Sequence, residues 1–163
     1  MKQEGVKTVR EIMCSPVITV GLDDTLEVVK AILERNHIHH VVVRSEGRVM
    51  GVVSDRDVLR ALSPFIGKEW AERKQDLQTL RRRVHQIMRR HPIVIEPEAD
   101  LREAASLLMR EDVSCLPVVE SDGRLVGIVT SKDLLAAAFG LERPVKDFAE
   151  TSKERHQATN NEN

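Results

Sequence analysis

Two short stretches carry the residue types of a binding chemistry. "GVVSDRD" runs from Gly51 to Asp57, and "GIVTSKD" runs from Gly127 to Asp133. Each sets a hydroxyl, a cation and a carboxylate at one spacing: Ser54, Arg56 and Asp57, then Thr130, Lys132 and Asp133. Part of this is a helix start. Both stretches fit a capping box, in which the hydroxyl accepts from the N3 amide while the N3 acid accepts from the N-cap amide. Such a cap is worth about 1 kcal/mol and needs no ligand. Three features exceed it. Glycine inside a strand marks close approach by another backbone or a ligand. A cation at the second helical position sits at the positive end of the helix dipole, which makes sense where an anion visits. The same mismatch also occurs twice. A carboxylate accepts well from ribose hydroxyls. The set therefore describes a nucleotide, with sugar on Ser54, Asp57, Thr130 and Asp133 and phosphate on Arg56, Lys132 and the helix ends.

The elements that must position these residues come as a duplication. Met13 aligns with Met88 and Leu26 with Leu101, and "NHIHHVVV" aligns with "EDVSCLPV", all at one offset. The offset grows by a single residue between "SEGR" and "SDGR", a turn that tolerates insertion. Each copy reads as strand, helix, strand, turn, strand, helix. "VITV" and "IVI" are β-branched runs. Leu26, Val29 and Leu33 share a helical face, as do Leu101, Ala104 and Leu108. "VVV" and "LPVV" read as buried strands, and the two glycine turns as hairpins. The expected organisation is a first repeat over 8–62, a linker with a charged helix over 63–81, a second repeat over 82–139 and a polar, mobile tail over 140–163. Within the linker, Trp70, Leu77, Leu80 and Val84 fall near one helical face.

These motifs, in this order and twice, resemble the CBS domain (cystathionine β-synthase-type repeat), a tandem pair of which forms a Bateman module. The shared pattern is "IM…P" before the first strand, an "LPVV"-like strand, then glycine, two apolar residues, Ser or Thr, and Asp three further on. The resemblance spans roughly Val9 to Ala138. It implies a mixed α/β fold: two repeats, each a small, mainly three-stranded sheet with two packed helices, related by a pseudo-two-fold axis. It implies clefts between the repeats for AMP, ADP, ATP or S-adenosylmethionine, and a homodimer of modules. By that resemblance the ribose falls to Ser54, Asp57, Thr130 and Asp133, and the phosphate to Arg56 and Lys132. Val17, Ile18, Pro92 and Ile93 would line the adenine slot. His39 and His40 stand where related proteins carry phosphate-binding cations. The second repeat has Ser114 and Cys115 there, and the first has Val42 in place of proline, so the two clefts are expected to be unequal.

The remaining features narrow the class. The chain has 163 residues, 41% hydrophobic and 31% charged, enough for one ordinary core or two small ones. A formal net charge of −1 supplies no global field toward nucleic acid or a membrane. Aromatics at 2% leave no stacking platform for single strands. The basic stretch Arg81 to His91 reads as a solvated face, or as arginines reaching a phosphate or an acidic partner. Two cysteines without a CxxC pair, no signal-peptide core and no membrane-length run suggest a reduced, cytoplasmic protein. His37 and His39 would share a strand face, but no further ligand follows at metal-site spacing, so no metal is expected. Cys14 and Cys115 read as small buried residues rather than nucleophiles. The expected function is a non-catalytic, ligand-sensing module acting on a partner in trans. The alternative is a structural homodimerisation module without functional ligand binding.

Overall fold

The computed structural model describes residues 8–68, 70 and 72–142. Most of the tail expected over 140–163 lies outside these residues. The chain opens with α1 (Val9–Ile12), β1 (Thr19–Val20) and α2 (Leu26–Arg35), then β2 (His40–Ser45), β3 (Arg48–Ser54) and α3 (Asp55–Ala61). Three short elements follow: α4 (Lys74–Leu80), α5 (Val84–Ile87) and β4 (Arg89–Arg90). The last four are α6 (Leu101–Arg110), β5 (Cys115–Val119), β6 (Leu125–Thr130) and α7 (Ser131–Phe139). No helix among the described residues is long and apolar enough to cross a membrane.

Local chemistry explains where the long elements start and stop. Thr25 Oγ1 accepts from Val28 N–H at the head of α2, and Asp100 accepts from Arg102 N–H at the head of α6. Leu26, Val29, Ile32 and Leu33 bury one stripe of α2, while Ala104 and Leu108 do the same for α6. Each hairpin turns on a glycine in the left-handed region, Gly47 at φ 78° and Gly123 at φ 87°, where an L side chain would be strained. α7 ends on Gly140 at φ 62°.

One sheet runs β1-β2-β3-β4, with β1 parallel to β2 and the other neighbours antiparallel. The other contains β5 and β6, antiparallel. Its outer strands are reduced to single bridges, Ile95 beside Val118 and Cys14 beside Ile128. The "IVI" run thus forms a bridge rather than a strand. In the second half two strands carry the sheet and single bridges take the flanking places, while the expected three-stranded arrangement is present in the first half, with β4 added from the opposite repeat.

That addition is the organising feature of the fold. Val84 is wholly buried in the first repeat's core with Val29, Val41, Val43 and Val53, and Ile87 and Met88 pack beside it. Val9 and Ile12 are buried in the second repeat's core with Leu116, Val118 and Val129. The leader of each repeat thus packs on the other repeat. The hydrogen bonds repeat the exchange. Val9 N–H donates to Ala99 O at 2.9 Å and Arg10 N–H to Pro97 O at 2.8 Å. Their counterparts are Val84 N–H to Asp24 O at 2.9 Å and His85 N–H to Leu22 O at 3.0 Å. Burying a Val or Ile is worth roughly 1.5–3 kcal/mol, so each leader ties the two halves together.

The linker differs from its expected form. The helix begins only at Lys74, and Trp70 lies before it, 86% exposed. Val84 sits on the separate helix α5 and faces the first core, so the proposed stripe is not one surface. The arginines that follow α4 hold backbone rather than water alone: Arg82 Nη1 donates to Ala61 O, Arg83 Nη1 to Asp23 O and Arg90 Nη2 to His85 O.

Candidate functional site

Both capping boxes form. Ser54 N–H and Oγ donate to Asp57 Oδ2 at 2.9 and 2.7 Å, and Asp57 N–H donates back to Ser54 Oγ at 3.2 Å. Thr130 N–H and Oγ1 donate to Asp133 Oδ2 at 2.7 and 2.8 Å, and Asp133 N–H returns to Thr130 Oγ1 at 3.4 Å. One oxygen of each acid is thereby committed to its cap. Asp57 is half-buried, while Asp133 is the one buried charged residue among those described, at 6% exposure. Arg56 and Lys132 are exposed.

The strand glycines answer a different need from the one a ligand would impose. A Cβ on Gly127 would stand 2.3 Å from Met13 Sδ, and a Cβ on Gly51 would stand 2.8 Å from both Met88 Sδ and Arg89 O. What approaches each glycine is the leader of the opposite repeat. The duplicated "IM" and the duplicated glycine are therefore one feature, a crossing point that admits no side chain.

Strand register gathers the motif residues at one end of each hairpin. His40 pairs with Ser54, and Cys115 pairs with Thr130. His39 O accepts from Asp55 N–H at 3.0 Å, as Ser114 O accepts from Ser131 N–H at 3.1 Å. The two ends meet, since His40 Nε2 lies 2.8 Å from Ser114 Oγ. His39, His40, Ser54 and Asp57 thus share one centre with Ser114 and Cys115. Pro92 follows β4, half-buried, and Ile18 and Ile93 pack against the first and second cores. Val17 lines a hollow of about 430 Å³ with Arg10, Met13, Arg44, Arg124 and Val126. Val126 is four residues from Thr130, about 13 Å along an extended strand, so this hollow opens at the hairpin end, away from the caps. Arg10 there is already paired with Glu98 and Glu120.

The histidine cluster is not a strand face. His37 takes φ 49° in the turn after α2, and β2 starts at His40, so His37 and His39 do not alternate along a strand. His39 Nδ1 lies 2.8 Å from Asp55 Oδ2, and Asp55 Oδ1 accepts from Arg56 N–H at 2.8 Å. Burial would raise the Asp55 carboxyl, but the bonds from His39 and the Arg56 amide outweigh it and hold that group below its ordinary range. Asp55 has no role in the sequence reading. Its contrast with Ser131, the residue at the same place in the second repeat, is the signal that marks it. Burial pushes the Cys115 thiol up to about 12, which leaves no thiolate for nucleophilic work near neutral pH.

Burial also lowers the pKa of His40, outweighing the attraction of Asp55 and Asp57. The unfolded chain therefore takes up this proton first, and folding stability falls as pH drops below about 6.5. His40→Gln keeps a donor for Ser114 and removes the titration. Urea melts between pH 7 and pH 5 should show a shallower decline for the variant, and an unchanged profile would mean that His40 does not carry this linkage.

Two repeats that exchange leaders, and present two capped helices to one centre, define a tandem α/β module. The chain belongs to the CBS domain family, whose model matches residues 9–64 and 84–140. It is 36% identical, over 84% of its length, to a CBS domain-containing protein of Dictyostelium discoideum, of which it covers 94%. It is similar to the crystal structure of CBSX2 in complex with AMP, with 27% identity, a TM-score of 0.66, and 83% of this chain and 98% of that one covered. It is also similar to the CBS domain pair of protein MJ0100 in complex with 5'-methylthioadenosine and S-adenosyl-L-methionine. There the identity is 25% and the TM-score 0.66, with 82% of this chain and 95% of that chain covered.

Proposed function

We propose that this chain is a regulatory module that binds an adenine nucleotide or adenosyl ligand in the clefts between its repeats and acts on a partner protein in trans. The observation that carries this reading is the meeting of two capped motifs at one centre, joined by the His40–Ser114 contact. Each acid spends Oδ2 on its cap. Asp57 Oδ1 then remains as an acceptor for ribose hydroxyls, and Ser54, Thr130 and Asp133 complete the ribose set. Arg56 and Lys132, with His39 and His40, are the groups assigned to phosphate. Val17, Ile18, Pro92 and Ile93 are the apolar residues assigned to adenine. The AMP, methylthioadenosine and S-adenosylmethionine complexes of the similar structures support this class of ligand. Signalling further requires that the ligand favour one conformation over another.

A second reading, a homodimerisation module, is favoured by a separate observation. Leu59 on α3 and Leu135 and Phe139 on α7 are 71%, 57% and 71% exposed. Exposed apolar side chains on these two helices offer surface that a second copy could cover. A thermal-shift panel of AMP, ADP, ATP and S-adenosylmethionine separates the readings. A ligand at 100 times its dissociation constant stabilises by about 2.7 kcal/mol, which raises the midpoint by roughly 5–10 °C for a chain of this size. The sensing reading expects that rise for at least one compound. The purely structural reading expects none.

A further inference from the structure

The two helix starts differ at one position that the capping pattern does not specify. Asp55 and Ser131 are the first helical residues of α3 and α7. Their backbones are equivalent, since each donates its N–H to the carbonyl of the residue just before β2 or β5, at 3.0 and 3.1 Å. The difference is therefore one of side chain. In the second repeat it is an exposed hydroxyl, with Ser114 at the facing position. In the first it is a carboxylate that takes Arg56 N–H on Oδ1 and faces His39 Nδ1 with Oδ2, both at 2.8 Å. These are donors that a ligand phosphate would need beside Ser54 and Asp57. An acid of the chain already holds them.

We infer that Asp55 is a specificity-determining residue, an internal anion that makes the Ser54–Asp57 cleft select adenosyl ligands lacking phosphate there. This rests on the adenosyl-binding reading above. A phosphate entering that cleft would have to displace Asp55 from His39, and it would lie beside two carboxylates, Asp55 and Asp57, which offset the guanidinium of Arg56 and that of Arg89, a charge that acts on Cys115 together with Asp57. A nucleoside, a thioether nucleoside or a cationic sulfonium meets no such opposition. The Thr130–Asp133 cleft has Lys132 and no acid at the equivalent first position, so phosphate is tolerated there. The clefts are thus unequal in ligand class, and His39, given to phosphate in the general adenosyl-binding reading, is held by Asp55 instead.

The test is reciprocal exchange of the two side chains. Adenosine and AMP are titrated calorimetrically into the full chain, its Asp55→Ser variant and its Ser131→Asp variant. Both substitutions leave the capping boxes intact, and each installs the other repeat's residue. Asp55→Ser should raise the preference for AMP over adenosine roughly tenfold at one of two sites, the scale of removing one like charge at close range. Ser131→Asp should lower that preference by a similar factor at the other site. A preference unchanged in both variants, with adenosine still bound, overturns the role of Asp55 alone. Absence of binding by either probe to the unmodified chain overturns the adenosyl-binding reading and this inference with it.

Discussion

Gly127→Ala should destabilise the protein by about 2–3 kcal/mol, the upper range for forcing a methyl group into a packed site. A Cβ on Gly127 meets Met13 Sδ at 2.3 Å, its Cγ at 2.8 Å and its Cβ at 3.1 Å. Only the sulfur is a far end that could swing away. The Cβ is fixed by a backbone that pairs Cys14 with Ile128 through hydrogen bonds of 2.8 and 3.0 Å. The expected partner result is specific. Met13→Ala removes Sδ and Cγ, so the double variant should be less destabilised than the sum of the single ones, with a coupling of about 1–2 kcal/mol. Urea melts of the four proteins measure this directly. Additive effects would mean that Met13 does not cross Gly127. The result matters beyond one glycine, because the crossing is how the first repeat's leader enters the second repeat's core.

Asp133→Ala should cost about 2 kcal/mol and Asp57→Ala about 1 kcal/mol, although the two acids do the same work in sequence. Each loses a capping box, worth about 1 kcal/mol. Asp133 is 6% exposed, however, and its removal strands Thr130 N–H and Oγ1 where water reaches them poorly. An unmade bond of that kind adds about 1–3 kcal/mol. Asp57 is half-buried, so water replaces part of what Ser54 loses. Asp133→Asn keeps an acceptor for Thr130 and should recover most of the loss. Equal losses at the two positions would contradict the difference in burial.

The parts of the structure that were legible in sequence are those decided within a few residues. The capping boxes at Ser54 and Thr130, the hairpin glycines Gly47 and Gly123, and the apolar stripes of α2 and α6 each depend on neighbours one to seven positions apart. The duplication was legible too, because it is written in the order of residues. The exchange of leaders was not. Val84 in the first core and Val9 in the second are contacts across long separations, and an apolar residue carries no record of which core it enters. The same holds for the strand glycines, whose spacing signals a close approach without saying to what. α4 is shorter than its charged pattern suggests. Trp70 makes no helical stripe there, and Val84 is drawn onto α5 by the first core. Asp55 stood in full view between Ser54 and Arg56, but its bond to His39 depends on the hairpin register that sets His40 opposite Ser54. A capping pattern that assigns roles to the first and fourth positions is silent about the second. The sequence raises the expectation that the clefts differ, and the proposal made from Asp55 attaches that difference to an acid rather than to a missing cation.

The most direct measurement is a calorimetric titration of AMP, ADP, ATP and S-adenosylmethionine into the full chain and into an Asp57→Ala, Asp133→Ala double variant shown by circular dichroism to be folded. The account expects saturable binding of at least one of these compounds by the unmodified chain, and loss of that binding in the double variant. No binding at millimolar ligand, or an affinity that survives removal of both carboxylates, would contradict it.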